Sequence, residues 1–323
     1  MLSISVVTPT YYRYKEVPGM LEYLANQEYL PTEVILVDGA PLDEVRTEEW
    51  VKAHVNDYPF AIKYYRKMGG TAIQRNYGIK QATGDLIAFI DDDVRVSPPF
   101  LAEIEKHFAA DTAGEIGGIT GFKASHEFRM EDRARWRWYK RLGLLSTFQP
   151  SAYDTKCGYP INASMQPAFS GLRPVDIMTS ACTVYRREVF TEHGLNFHRF
   201  FQEYGMLEDS HLALSVQKKG YVNRQCGDAL CDELNSSSGR SNQYIIGFKT
   251  CVNYYYVFNS ICGPLTFKQR LFFFRYQLFE LCRFFLAFMK KQDRNAWAHF
   301  TGKLNGIAVA LFSWDSYLKK ILS

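Results

Sequence analysis

Ile90-Asp91-Asp92-Asp93-Val94 places three carboxylates directly after the apolar run Leu86-Ile87-Ala88-Phe89-Ile90. Three adjacent anions repel one another, and removing even one from water is costly unless a cation is shared. The cluster fits a divalent ion together with a phosphate-bearing ligand; standing alone, it reads as a solvated acidic turn. A second acidic pair, Glu208-Asp209, precedes an amphipathic segment over residues 213–219 that stops at Gly220. The free N–H groups and dipole of a helix start stabilise anions there, so simple capping is one account of the pair. The other is a base, since a carboxylate kept ionised at a cleft edge accepts a proton from a hydroxyl.

The elements that must position these acids follow from the alternation over residues 1–95. Strand-like segments at 4–8, 33–38, 61–65 and 86–91 are separated by helix-like segments at 17–27, 42–56 and 71–82. Such alternation implies a parallel, doubly wound sheet, in which ligands bind outside the carboxyl ends of the strands. Thr8-Pro9-Thr10, Asp38-Gly39 and Asp91-Asp92-Asp93 all fall at those ends, so three loops converge on one crevice. No GxGxxG follows the first strand and no GxxxxGK[ST] occurs, which speaks against a dinucleotide dehydrogenase and a P-loop hydrolase. Further strands are expected at 116–122 and 176–185.

The order of these pieces is informative. Thr8-Pro9-Thr10, Val34-Ile35-Leu36-Val37-Asp38-Gly39, Ala72-Ile73-Gln74-Arg75-Asn76-Tyr77-Gly78 with Ala82-Thr83-Gly84-Asp85, Phe89-Ile90-Asp91-Asp92-Asp93 and Glu208-Asp209 follow one another. Together they resemble the inverting family 2 glycosyltransferases with a GT-A fold, over residues 3–230. The resemblance implies an α/β fold with a Rossmann-like, mostly parallel sheet flanked by helices, followed by a C-terminal amphipathic helical appendage. It implies a nucleotide-diphosphate sugar donor held by Thr8, Pro9, Thr10, Tyr11, Arg13, Asp38 and Gly39, with Gly70, Arg75, Asn76, Asp91 and Asp92. Asp91 and Asp93 would hold Mn2+ or Mg2+, Asp209 would be the general base, and Glu208, Ser180 and Arg240 would meet the acceptor.

Departures from the family pattern sharpen these expectations. The family often reads VDDGS where this chain has Val37-Asp38-Gly39-Ala40-Pro41. His211 replaces the last acid of an EDxD pattern, and is either an added metal ligand or a solvent-facing helix residue. Where many relatives carry a later His near the metal, this chain has Cys231-Asp232-Glu233. The QxxRW signature of processive synthases is absent after Asp209, so the expected reaction adds a single sugar to a lipid-linked or glycoconjugate acceptor. A catalytically silent GT-A binding module and a sugar nucleotidyltransferase are the alternatives. Intact Asp91, Asp93 and Asp209 argue against the first, and Tyr11-Tyr12-Arg13 in place of a Gly-rich, Lys-bearing loop argues against the second.

Composition adds a second theme. The 323 residues carry a net charge of +4, but from Pro264 onward ten Lys and Arg face three Asp and Glu, leaving a net −3 for residues 1–263. We therefore expect a transferase domain over 1–263, with a nucleotide half at 1–95 and an acceptor half at 96–263, and a basic tail over 264–323. A helix over 271–289 would gather Leu271, Phe274, Leu278, Leu281, Cys282, Phe285 and Met289 on one face, with Arg275, Gln277, Glu280 and Arg283 opposite. Its polar residues disfavour a bilayer span. Peripheral attachment to an anionic membrane is expected, at the cytoplasmic inner face of the cell membrane; docking of the helix on the protein's own core is the alternative. Gly302 and Gly306 would allow close helix packing, in an oligomer for example. The Phe-rich face has no use in a phosphate groove, so nucleic acid is not expected. Residues 133–141 interleave cations with aromatics, as an anion-binding patch or as a surface helix with its Trp turned inward. Seven cysteines without a CxxC pair, and no leader before the first strand, fit reduced thiols in the cytoplasm.

Overall fold

Strands β1 (Ile4–Thr10), β2 (Glu33–Asp38), β3 (Ala61–Arg66) and β4 (Leu86–Ile90) alternate with helices α1 (Glu16–Ala25), α2 (Arg46–His54) and α3 (Thr71–Gln81). The computed structural model describes residues 1–123, 134–161, 167–201, 205–234 and 242–323. The four strands run parallel in the order β3-β2-β1-β4. β1, β2 and β4 are buried along their whole length, as near-continuous apolar runs in a covered parallel sheet must be. Thr10 lies level with Asp38 in the ladder, so the carboxyl ends of β1 and β2 open at the same height.

Beyond β4 come β5 (Val94–Val96), α4 (Phe100–Ala110), β6 (Ile116–Lys123), α5 (Ala134–Arg141), β7 (Tyr153–Asp154), β8 (Tyr159–Pro160), β9 (Leu172–Pro174), β10 (Cys182–Arg186), α6 (Glu188–Thr191), α7 (Glu208–Lys218) and β11 (Val222–Glu233). The sheet continues past β4 as β10-β6-β11-β5, with β9 on the side of β11. β10 is antiparallel to both its neighbours, so the sheet is mixed; its first half is parallel throughout, and β6 and β11 pair in parallel beyond β10. The strand expected from residue 176 starts only at Cys182, because the main chain before it serves other elements: Ala181 accepts from Asp91 N–H and Ser180 N–H donates to Asp209. β11 is invisible to periodicity because it buries Asn223 and Gln225. Their amide N–H groups donate to the carbonyls of Ala213 and Gly121 at 2.8 and 2.9 Å.

The chain divides into two compact units, Met1–Phe128 with Ala163–Ser236, and Arg129–Asn162 with Ser237–Ser323. The second therefore takes in α5, β7 and β8 as well as α8 (Gln243–Cys262), α9 (Phe267–Lys291), α10 (Arg294–Phe312) and α11 (Trp314–Leu322). Its core gathers Cys251, Tyr255, Phe258, Leu265, Phe273 and Ala310. Gly302 and Gly306 serve this unit internally, since a Cβ on Gly302 would meet the Tyr244 carbonyl at 2.0 Å and one on Gly306 would meet Cys251 Cβ at 2.8 Å.

The orientation of α9 sets aside the docking of its apolar face on the protein's own core. It buries Phe273, Tyr276, Gln277, Glu280 and Leu281, while Leu271, Leu278, Phe285 and Met289 are exposed. The polar side turns inward because it finds partners there. Tyr139 OH donates to Glu280 at 2.6 Å, Arg283 donates to both Glu280 oxygens, and Lys303 Nζ donates to Gln277 at 2.5 Å. Among the described residues no helix is long and apolar enough to cross a membrane.

Candidate active site

Three strand ends build one crevice in the first unit. Gly39 N–H donates to the Thr10 carbonyl at 2.9 Å, and the Gln74 amide reaches the carbonyls of Thr10 and Val37 at 2.8 and 2.6 Å. This fixes the loops after β1 and β2 against α3. Asp38 is fully buried; one oxygen accepts from Ala40 N–H and the other from Tyr64 OH, both at 2.8 Å. Gly70, with φ +94°, caps the start of α3 behind them.

The three consecutive aspartates divide their work. Asp92 turns inward, accepting from Thr10 Oγ1 at 2.7 Å and from Arg13 at 3.2 Å. Burial pushes its carboxyl up to about 7, against the opposing pull of Arg13 and Thr10. Asp91 and Asp93 stay partly open, with side chains 28% and 22% exposed. Asp91 meets Arg75 at 2.7 Å, and Asp93 meets Arg13 at 2.6 Å. The outward pair is the one a ligand can reach.

The second acidic pair arrives from α7. Leu207 adopts a left-handed conformation, φ +70°, immediately before the helix, and Gly205 has no room for a side chain: a Cβ there would sit 2.5 Å from the Glu208 carboxyl. The turn thereby presses Glu208 onto Arg75 Nη1 at 3.1 Å and Thr71 Oγ1 at 3.3 Å. Asp209 accepts from Ser210 N–H at 2.6 Å and from Ser180 N–H. Burial raises both carboxyls above the ordinary range, while Arg75 and these N–H groups favour the ionised form. Buried Arg75, stacked 5.4 Å from the Phe197 ring, is thus the common cation of Asp91 and Glu208, and its charge also acts on Asp209.

Not every residue marked in the sequence faces the crevice. Thr8 is buried within β1 and donates to the Ile90 carbonyl at 2.7 Å, and Pro9 lies inside the ladder opposite Val37. Both ends of the Asn76 amide are engaged by the Phe197 main chain, at 2.7 and 2.9 Å. Tyr11 is exposed at the rim. Ser180 contributes its main chain to Asp209, and Arg240 lies outside the described residues.

His211 corrects one expectation for it: it does not face solvent. Its ring is buried against Phe201 and His198, at 5.5 and 5.7 Å, and burial brings its pKa down to about 4. Among the described residues no three His, Cys, Asp or Glu converge closely enough to cage an ion by themselves.

Two residues of the site were not marked in advance. One is Gln74, which ties β1 to β2. The other is Lys123, at the end of β6, ion-paired to Glu233 at the end of β11 and close enough to Asp209 for its charge to favour the ionised carboxylate. Their partners stand 64 and 110 positions away in sequence, so no local pattern announces them.

A mixed sheet with this crevice at the carboxyl ends of its parallel half has the GT-A fold. The Glycosyl transferase family 2 model matches residues 5–194, and the chain belongs to that family. It is similar to the uncharacterized glycosyltransferase YwdF of Bacillus subtilis (strain 168), 30% identical over 155 residues, 46% of this chain and 56% of the relative. It is also similar to the poly(ribitol-phosphate) beta-N-acetylglucosaminyltransferase TarS of Staphylococcus aureus (strain Mu50), 28% identical over 128 residues, 38% of this chain and 22% of TarS. The match thus spans about half of the first relative and under a quarter of the second. Among solved structures, the mannosyltransferase PcManGT from Pyrobaculum calidifontis in complex with GDP-Man and Mn2+ superposes over 99% of this chain and 79% of its own, with a TM-score of 0.54 and 19% identity.

Proposed function

We propose that the chain is an inverting, non-processive glycosyltransferase that moves one sugar from a nucleotide-diphosphate sugar to a hydroxyl of a glycan or lipid-linked acceptor. The observation that carries this reading is Arg75, which links the open acid Asp91 to the Glu208-Asp209 pair and so joins a donor-side and an acceptor-side carboxylate in one crevice. The names of two relatives support it: TarS transfers N-acetylglucosamine to a polyol phosphate polymer, and PcManGT was solved with GDP-Man and Mn2+.

Asp38, Thr10 and the loops around Gly39 and Gly70 would receive the nucleoside, with Tyr11 at the rim and Arg13 toward the diphosphate. The donor set fits a divalent ion. Asp91 and Asp93 offer hard carboxylate oxygens from a partly open position, and Mg2+ or Mn2+ commonly takes one or two carboxylates and completes its shell with phosphate and water. When bound, such an ion neutralises charge on the departing diphosphate. Arg13 would then exchange Asp93 for the diphosphate, keeping its own charge balanced.

Asp209 takes the acceptor's proton. Burial raises its carboxyl, and Arg75, Lys123 and the N–H groups of Ser180 and Ser210 pull the other way, favouring the ionised form that a base needs. As the acceptor oxygen bonds to the anomeric carbon, the bond to the diphosphate breaks and its electron pair leaves with the phosphate. One displacement inverts the centre and needs no covalent nucleophile. Glu208, held by Arg75 and Thr71, orients the loop and the acceptor rather than exchanging protons. A lipid-linked acceptor would present its hydroxyl at the inner face of the cell membrane; a polymeric acceptor would not need that surface.

The test is turnover of a panel of nucleotide-diphosphate sugars with Mn2+ and hydroxyl acceptors, read by NMR of the anomeric proton. The expected product has the opposite anomeric configuration to the donor. Retained configuration, or no release of nucleoside diphosphate from any donor, contradicts the proposal.

A further inference from the structure

The second unit, Arg129–Asn162 with Ser237–Ser323, holds 19 Lys and Arg against six Asp and Glu, a net charge of +13. Two of those acids, Asp154 and Glu280, are buried. The cations are mostly outside: Arg137, Lys140 and Arg141 on α5, Lys268, Arg270, Arg275, Lys290 and Lys291 on α9, and Lys319 and Lys320 on α11 are all exposed. So concentrated a charge keeps a surface soluble, but it also selects an anionic partner.

An apolar face lies among these cations. On α9, Phe267, Leu271, Leu278, Phe285 and Met289 are exposed, spaced four or seven apart, so they share one side of the helix over about 33 Å. Leu286 adds to it at 65% exposure. Where α9 turns into α10, Phe285, Phe288, Trp297 and Phe300 form an aromatic cluster, with ring centroids 4.9 to 5.4 Å apart. Trp297 is 43% exposed, and exposed Lys290, Lys291 and Arg294 surround the turn. α11 has no fully buried residue; Trp314, Tyr317, Leu318, Ile321 and Leu322 are its less exposed positions, with Asp315, Ser316, Lys319 and Lys320 outward.

We propose that this unit docks on an anionic phospholipid bilayer, with the outer face of α9 and the α9–α10 turn lying in the headgroup layer. Charge complementarity selects that occupant. Apolar side chains and Trp favour the boundary between headgroups and acyl chains, and flanking Lys and Arg favour anionic lipid; nucleic acid would leave the apolar face unused. None of the helices among the described residues crosses a membrane, so the contact is peripheral. The inference stands apart from the transfer reaction, because it needs neither donor, acceptor nor metal.

The full chain should float with vesicles of pure phosphatidylglycerol and not with vesicles of pure phosphatidylcholine, and high salt should release it. Combining Lys290→Glu, Lys291→Glu and Arg294→Glu should weaken binding about a hundredfold or more. Leu286→Ser with Met289→Ser, at two exposed positions, should weaken it at unchanged charge and unchanged thermal midpoint. Equal binding to both lipids, absence of binding to phosphatidylglycerol, or a dimer in ultracentrifugation that covers this face and excludes vesicles would overturn the proposal.

Discussion

Nineteen Lys and Arg lie in each of the two units, yet the first carries 28 Asp and Glu and the second only six. In the first unit the cations at and near the site meet acids: Arg13 pairs with Asp92 and Asp93, Arg75 with Asp91 and Glu208, Lys123 with Glu233, and Arg186 with Asp111. In the second, Arg283 pairs with Glu280, while Lys268, Arg270, Lys290, Lys291, Arg294, Lys319 and Lys320 are exposed. Charge in the first unit is therefore organised around buried carboxylates that need counterions. In the second it is displayed. The same residue type does opposite work in the two, and the number of acids beside it decides which.

The largest effect expected from breaking this comparison comes at Arg75. Arg75→Met leaves buried Glu208 without its cation, and removing one partner of a buried pair costs about 3–5 kcal/mol. Urea unfolding should show that loss at pH 8 and a smaller one at pH 4, because Glu208, whose carboxyl burial has already raised, protonates on the way down. Adding Glu208→Gln to Arg75→Met should restore part of the stability. An additive double variant would mean the two residues do not act as a pair.

Next in size is Glu33, a structural contrast to the site acids. Burial alone would raise its carboxyl, but hydrogen bonds from Lys63, Ser5 and Thr83 hold it at about 2. A depressed carboxyl contributes stability that is fully present above its unfolded value near 4.5 and is lost as pH falls toward 2. At 1.36 kcal/mol per pH unit, that contribution is on the order of 3 kcal/mol. The melting temperature of Glu33→Gln should thus be lower than that of the parent at pH 7 and converge with it near pH 2. Parallel curves would contradict the assignment.

Smaller again is the effect of Asp93→Asn on folding, under about 1 kcal/mol, because its pair with Arg13 is partly exposed. The same variant should abolish Mn2+-dependent donor binding by calorimetry; unchanged dependence would move the ion elsewhere. Smallest of all is the expected effect of Lys319→Glu with Lys320→Glu on transfer to a soluble acceptor, within about twofold, since both belong to the displayed charge. A large loss there would tie the second unit to the chemistry itself.

Much of the first unit was legible because its signals are local. Four parallel strands, three of them buried along their whole length, announce themselves as apolar-rich runs, and the three aspartates after the fourth are adjacent in sequence. Thr10, Asp38, Arg75, Asp91 to Asp93 and Glu208-Asp209 accordingly fall in one crevice. What escaped depends on distant partners: Asn223 and Gln225 hide β11 because their amide N–H groups donate to carbonyls of other elements, and Lys123 matters only once β6 and β11 lie side by side. Helix α9 shows the converse, a clear local pattern that left open which face is covered. Its periodicity was clear, but the polar edge turned inward, because Tyr139, Arg283 and Lys303 supply what Glu280 and Gln277 need. An amphipathic pattern gives two faces, and only the neighbours determine which is covered. His211 was misplaced for the same reason, since nothing local marks the pocket of Phe201 and His198 that buries it.

The claim on which the account turns is that Asp209 is the base and the first unit's carboxylates divide donor from acceptor. Single-turnover transfer and donor affinity should be measured side by side on Asp209→Asn. Donor affinity is expected within about threefold of the parent, together with transfer slowed by about 10²- to 10⁴-fold. Transfer at the parental rate, or loss of donor binding in step with activity, would contradict it.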